Sequence, residues 1–155
     1  MKQIAVTQSQ GRQANSNGRA FEEMIAQRLR SKGYQSLSSP PPAFRTPFFV
    51  AQLRGQFFSI YGSPMRVDFF VWHPSKYPNG LVIECKYQET PGSADEKFPY
   101  TVANLRKAGI PAILLVMGSG PKRCAVDWCM QQQDDQLTVF KDFESFMKSA
   151  NRDLF

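Results

Sequence analysis

Between residues 66 and 88 the chain reads RVDFFVWHPSKYPNGLVIECKYQ, two β-branched and aromatic runs around a loop rich in Pro, Asn and Gly. Each run is interrupted by groups that can hold a cation or move a proton: Asp68 in the first, and Glu84, Lys86 and Gln88 in the second. Side chains alternate between the faces of a strand, so Glu84, Lys86 and Gln88 share one face and Cys85 and Tyr87 the other. With the hairpin centred on Lys76 and residues 73–79 as its loop, Asp68 stands opposite Glu84 on the same face, and a slip of one residue would separate them. Two carboxylates about 4 Å apart repel by about 4 kcal/mol at an effective dielectric of ~20. Lys86 offsets part of that repulsion. A divalent cation offsets more, because Mg²⁺ prefers one or two carboxylates completed by water and substrate phosphate. The plain alternative is a solvated Glu/Lys ladder, but Leu81, Val82, Ile83 and Cys85 give the second strand a central, buried character, where unpartnered charge is costly.

A further acid comes from a helix. From about Asn17 to Lys32 the apolar residues recur with helical spacing, and Gly33 follows as a terminating glycine. At about 100° per residue from Phe21, Met24, Ile25 and Leu29 mark an apolar arc, Glu22 borders it and Glu23 faces away. Glu22 is therefore the acid expected at the edge of a packed sheet, with a solvated pair as the alternative for both.

The elements that must position these groups follow from the remaining pattern. The polar, Gln/Ser/Asn-rich residues 1–16 are expected to form a flexible arm, and residues 17–155 a single domain. SLSSPPPAF at 36–44 reads as a loop, since consecutive prolines suit neither helix nor central strand. Strands are predicted at 47–53, 56–61, 66–72 and 81–88, divided by turns at Arg54-Gly55, Gly62-Ser63-Pro64 and Pro78-Asn79-Gly80, as an antiparallel meander. Then the rhythm changes: a helix at about 93–108, opened by a Ser93-Ala94-Asp95-Glu96 capping box or by Pro99 at its first position, an apolar strand AILLVM at 112–117, and a helix at 121–132. A short strand at 137–140 and a last helix capped by Asp142 complete an α/β chain, a mixed sheet with helices on its faces.

The order Phe21-Glu22, Asp68, Glu84-Cys85-Lys86, Gln88 resembles the PD-(D/E)xK nuclease superfamily, whose restriction-endonuclease-like fold also includes Holliday-junction resolvases. The resemblance spans residues 18 to about 118 as an αβββαβ core. Val67 stands where the family's nominal motif has Pro, a departure from the literal motif that leaves the reactive groups in place. The resemblance implies an endonuclease that hydrolyses DNA phosphodiester bonds. It implies that Asp68, Glu84 and the backbone carbonyl of Cys85 bind Mg²⁺, with Mn²⁺ able to substitute, and that Lys86 orients or activates the attacking water. Glu22 would assist at the metal or its water shell, and Gln88 would position Lys86 or a phosphate. The rival reading is a catalytically inactive nucleic-acid-binding module on the same fold.

Composition is compatible with a nucleic-acid partner. The 155 residues include 19 Lys+Arg and 13 Asp+Glu, a net charge of +6. Residues 1–66 hold nine basic and two acidic groups, a balance of +7, and residues 67–155 hold ten and eleven, a balance of −1. Arg19, Arg54, Arg66 and Lys97 are candidates for phosphate contacts. Two strands cut by so small a chain would require a homodimer. Phe48, Phe49, Phe57, Phe58, Phe69, Phe70 and Trp72 are assigned to packing, and His73 to the hairpin loop. Gly118-Ser119-Gly120 lacks phosphate-loop spacing and reads as a turn, so no nucleotide cofactor is expected. Three cysteines without a CxxC and a single His support neither a disulfide framework nor a zinc site. With no run of 18 apolar residues and no signal-peptide h-region, a cytoplasmic protein without membrane association is expected.

Overall fold

The computed structural model describes residues 2–92 and 94–155, with side chains from Asn17 onward except those of Ser93 and Ala94. Its core is a six-stranded mixed sheet in the order β1-β2-β3-β4-β5-β6, formed by β1 (Gln35–Leu37), β2 (Phe48–Phe58), β3 (Pro64–His73), β4 (Tyr77–Tyr87), β5 (Ala112–Met117) and β6 (Leu137–Phe140). β2, β3 and β4 form an antiparallel meander, while β1 on β2, and β5 and β6 beyond β4, pair in parallel. Among the described residues no helix is long and apolar enough to cross a membrane.

Among the described residues four helices, α1 (Lys2–Ser31), α2 (Ala94–Lys107), α3 (Arg123–Gln131) and α4 (Phe143–Ser149), cover the two faces, and a π-helical stretch Ala150–Leu154 follows. The alternation of the strands divides the core. Val82, Leu114 and Val116 pack with Phe98, Val102 and Leu105 of α2 and Cys129 of α3. On the other face Ile83, Ile113 and Leu115 pack with Ile25 and Leu29 of α1 and Phe146 of α4. Both faces of β5 are covered, as its continuous apolar run requires. Asp142 caps α4 through the Ser145 N–H at 2.6 Å.

Several boundaries differ from the sequence reading. α1 begins at Lys2 rather than near Asn17, and it ends as expected, with the Gly33 N–H on the Arg30 carbonyl and the Tyr34 N–H on the Leu29 carbonyl. The predicted strands 47–53 and 56–61 are one strand: Arg54-Gly55 is an irregularity in the β2–β3 ladder, where pairing passes from Arg54↔Arg66 to Phe57↔Met65. The Pro-rich loop is preceded by β1, tied to β2 by the Gln35 N–H on the Pro47 carbonyl. Pro99 lies inside α2 rather than opening it, and the capping role read for Ser93 lies outside the described residues. Cys124 is exposed, whereas Cys129 is buried, and all three cysteines are free.

Gly118-Ser119-Gly120 is a turn for a steric reason. A Cβ on Gly118 would stand 2.0 Å from the Gln88 carbonyl oxygen, and one on Gly120 2.5 Å from that of Thr90. The exit of β4 is thereby clamped to the exit of β5, with the Gly120 N–H on the Gln88 carbonyl at 2.9 Å.

Candidate active site

The sheet splits where the acids stand. The β3–β4 ladder runs through Val71↔Leu81 and Phe70↔Val82 to Phe69↔Ile83 and ends there. Beyond it β3 stays paired with β2 through Leu53↔Val67 and Arg54↔Arg66, and β4 stays paired with β5 through Glu84↔Leu114 to Tyr87↔Met117. The two halves diverge as a fork. Asp68 and Glu84 are the first residues past the last rung.

Side chains stitch the fork. Asp68, only 3% exposed, accepts the Cys85 N–H on Oδ2 at 2.8 Å, and the Asp68 N–H donates to Glu84 Oε2 at 3.4 Å. Lys86 Nζ donates to Glu84 Oε1 at 2.5 Å, and Arg66 approaches Asp68 Oδ1 at 3.5 Å. From α1, Glu22 accepts a hydrogen bond from the Gln52 amide at 2.9 Å, whereas Glu23 pairs with Arg30 at the surface. The placement of Glu22 follows from its position beside Ile25 and Leu29, which are fully buried against the sheet.

The electrostatics of the fork are those of crowded negative charge. Burial raises the Glu22 carboxyl above its usual value, Asp68 and Glu84 raise it further, and Arg66 and Arg19 oppose them. Glu84 is also raised, by burial and by Asp68, against the pull of Lys86. For Lys86, burial works against the charge, but Glu84 and Asp68 outweigh it and the ammonium is held above its ordinary range. Burial and the three carboxylates push the Cys85 thiol well up, so it is a neutral SH and not a nucleophile.

Two clefts flank the fork. The one on the α1 side, about 550 Å³, is lined by Gly18, Arg19, Glu22, Gln52, Cys85 and Tyr87. The one on the α2 side, about 390 Å³, is lined by Glu84, Lys86, Lys97, Tyr100 and Asn104, and Arg66 reaches both. The candidate residues thus separate. Glu22, Asp68, Glu84 and Lys86 interact at the fork, and Arg19, Arg66 and Lys97 line its clefts. Arg54 is exposed beside Arg66 as its ladder partner and lines neither cleft. Gln88 makes no hydrogen bond to Lys86; its amide nitrogen donates to the Thr90 carbonyl at 2.7 Å, and its Oε1 is buried without a partner. His73, assigned to the loop from the sequence, is instead the last residue of β3, paired with Tyr77, and its Nδ1 accepts the N–H groups of Ser75 and Lys76 in the turn that follows.

Gln52 was not visible as a site residue in the sequence. It stands inside β2 with φ 56°, the one non-glycine residue at positive φ among those described. No local signal announces it, since VAQLR reads as ordinary strand.

The donor set fits a hard divalent cation. It offers carboxylate oxygens at a gap, and repulsion among them that a cation would relieve. Among the described residues no group of three His, Cys, Asp or Glu side chains could cage a metal by itself. Water and a substrate phosphate would therefore complete the coordination.

No curated protein and no solved structure matches the chain. The family model of the PD-(D/E)XK nuclease superfamily domain matches residues 13–153, nearly the whole chain. The mixed sheet with helices on both faces agrees with the restriction-endonuclease-like fold of that family. With a paired Asp and Glu-x-Lys at the opening of such a sheet, and a family match of that extent, the chain belongs to the PD-(D/E)XK nuclease superfamily.

Proposed function

We propose that the protein is a Mg²⁺-dependent endonuclease that hydrolyses phosphodiester bonds of DNA at the fork between β3 and β4. The observation that carries this reading is the meeting of Asp68 and Glu84 at the gap, linked by the Asp68 N–H on Glu84 Oε2 and the Cys85 N–H on Asp68 Oδ2, with Glu22 near enough for both charges to raise its carboxyl. Asp68, Glu84 and the Cys85 carbonyl would hold the cation, and Mn²⁺ would replace Mg²⁺. When bound, such an ion supplies charge compensation for the non-bridging phosphate oxygens and lowers the pKa of water.

The side chains divide the remaining work. Lys86, bonded to Glu84 at the gap, would donate a hydrogen bond to the attacking water or the phosphate and stabilise developing negative charge. Glu22, raised above an ordinary carboxyl and oriented by Gln52, is suited to order the water shell and accept a proton. Arg19, Arg66 and Lys97 would follow the backbone of the strand across the two clefts, with Arg54 beside them. One chain carries one such fork, so a duplex would be cut by a homodimer.

Incubation of plasmid, branched and single-stranded DNA with Mg²⁺ or Mn²⁺ tests the reading. Wild type is expected to cleave, and Lys86→Ala and Asp68→Asn to lose at least about 100-fold in rate. Undiminished cleavage by either variant overturns the assignment. Salt-sensitive DNA binding with no metal-dependent cleavage would favour the non-catalytic module instead.

A further inference from the structure

The described residues include four buried polar ones, Ser59, Asp68, Thr101 and Asn104. Asp68 belongs to the fork. Ser59 and Asn104 fix a single turn, the one that joins β2 to β3, and Thr101 lies on the adjoining wall of the α2-side cleft. Asn104 Oδ1 accepts the Ile60 N–H at 2.8 Å, Lys107 Nζ donates to the Ser59 carbonyl at 2.7 Å, and Ser59 Oγ bonds both Ser63 Oγ at 2.8 Å and the Tyr61 N–H at 3.2 Å. Two more backbone bonds close the turn, from the Ser59 N–H to the Ser63 carbonyl and from the Gly62 N–H to the Ser59 carbonyl.

The side chain that this fixed turn presents is not buried. Tyr61 is 80% exposed and lies against Tyr100, with ring centroids 5.6 Å apart and planes 25° from parallel. Tyr100 lines the cleft that contains Glu84 and Lys86, so its stack on Tyr61 joins the exposed ring to that cleft. Arg66, Lys86 and Lys97 supply that cleft with positive charge. A rigid aromatic face at the mouth of a cationic cleft is the combination that binds an unpaired nucleobase: the ring stacks on the base and the cations take the phosphates. A base inside a duplex has both faces covered by its neighbours and offers no such surface.

We propose that Tyr61, backed by Tyr100, is a stacking platform for an unpaired base next to the scissile phosphate, so that the preferred substrates are DNA single strands, flaps or ends. This rests on the nuclease reading only for its substrate; the binding it asserts is measurable without cleavage. The expected affinity loss on removing the ring is about 10-fold, within the range for one base–aromatic stack.

The test compares full-length wild type, Tyr61→Ala and Tyr61→Phe, without divalent cation so that nothing is cut. Single-stranded and duplex oligonucleotides carrying 2-aminopurine report stacking through fluorescence quenching, and anisotropy reports affinity. The expected result is quenching and tight single-strand binding in wild type and Tyr61→Phe, about 10-fold weaker binding without quenching in Tyr61→Ala, and little change for duplex. Equal single-strand affinity in wild type and Tyr61→Ala overturns the platform. So does a shift in oligomeric state of Tyr61→Ala with unchanged single-strand binding, which would make exposed Phe58, Ile60 and Tyr61 a surface for a second copy of the chain. Tyr61-dependent quenching in a wild type that cleaves nothing with Mg²⁺ would uphold the platform while overturning the nuclease reading.

Discussion

The Asp68 N–H donates to Glu84 Oε2 at 3.4 Å, while the Asp68 carboxylate accepts the N–H of Cys85, the neighbour of Glu84, at 2.8 Å. The two acids therefore replace the rung that the β3–β4 ladder lacks beyond Phe69↔Ile83. They stitch the fork and also occupy it, so structural and chemical roles fall on the same carboxylates and must be separated by the choice of substitution.

Asp68→Ala removes the acceptor and orphans the Cys85 N–H, a cost of about 1–3 kcal/mol. Asp68→Asn keeps an oxygen for that N–H but loses the charge. Denaturant unfolding is expected to rank the alanine variant well below the asparagine variant in stability, whereas cleavage assays should find both inactive. Activity in Asp68→Asn comparable to wild type would assign Asp68 to architecture alone.

Glu22→Gln should stabilise the metal-free protein at neutral pH. Burial and the neighbouring acids raise the folded-state pKa of Glu22 above 4.5. The contribution of this carboxyl is therefore favourable while it is protonated, below its unfolded value, and is lost as pH rises through the folded value. Glutamine keeps an acceptor for Gln52 and stays neutral, so the variant should melt higher than wild type in EDTA at pH 7, with the difference vanishing near pH 4. Added Mg²⁺ should raise the melting temperature of wild type more than that of the variant. A variant that melts lower than wild type at pH 7 would show that charge crowding at Glu22 is already relieved.

The placement of Asp68 opposite Glu84 was legible because two patterns constrain it together: hydrophobic alternation on both strands, and polar groups that interrupt each at one point. The observed pairs from Phe69↔Ile83 to Val71↔Leu81 keep the register read from the sequence, although the loop is shorter than expected. Its strands close at His73↔Tyr77, and an irregularity after Val71 absorbs the difference. What was not legible depends on contacts distant in sequence. Gly55 reads as a turn but is an irregularity within one strand, because β3 pairs across it. Tyr61 reads as one more strand aromatic, and only Asn104 and Lys107, contributed by α2, show that its turn is fixed in space.

The clamp between the exits of β4 and β5 distinguishes two glycines that sequence alone treats alike. Gly118 has φ +91° and Gly55 φ +78°, but a Cβ at Gly55 meets nothing within 4 Å, whereas one at Gly118 would overlap the Gln88 carbonyl. Gly55→Ala should cost about 1–2 kcal/mol, the penalty for a left-handed alanine. Gly118→Ala adds a backbone collision to that penalty and should cost about 3 kcal/mol or more. Chemical denaturation of the two variants measures the difference, and equal costs would mean that the clamp yields easily.

Gln52 offers the sharpest separation of stability from function. Its backbone at φ 56° is a conformation that costs a non-glycine residue about 1–3 kcal/mol, and its side chain orients Glu22 at 2.9 Å. Gln52→Gly removes that strain but adds backbone entropy to the unfolded chain, about 0.5–1 kcal/mol, so net stability should stay level or rise slightly. The amide that fixes Glu22 is lost in the same change. Glu22 then samples other rotamers, and the cleavage rate should fall by about 10-fold or more, in keeping with the loss of a group that orients a proton acceptor. Gln52→Asn, with its shorter side chain and its tolerance of positive φ, should match the glycine variant in stability and recover little activity. Unfolding midpoints and single-turnover cleavage rates on the three proteins decide the matter. If activity follows stability across the series, Gln52 serves the strand; if activity falls while stability holds, its strained backbone is maintained for the orientation of Glu22.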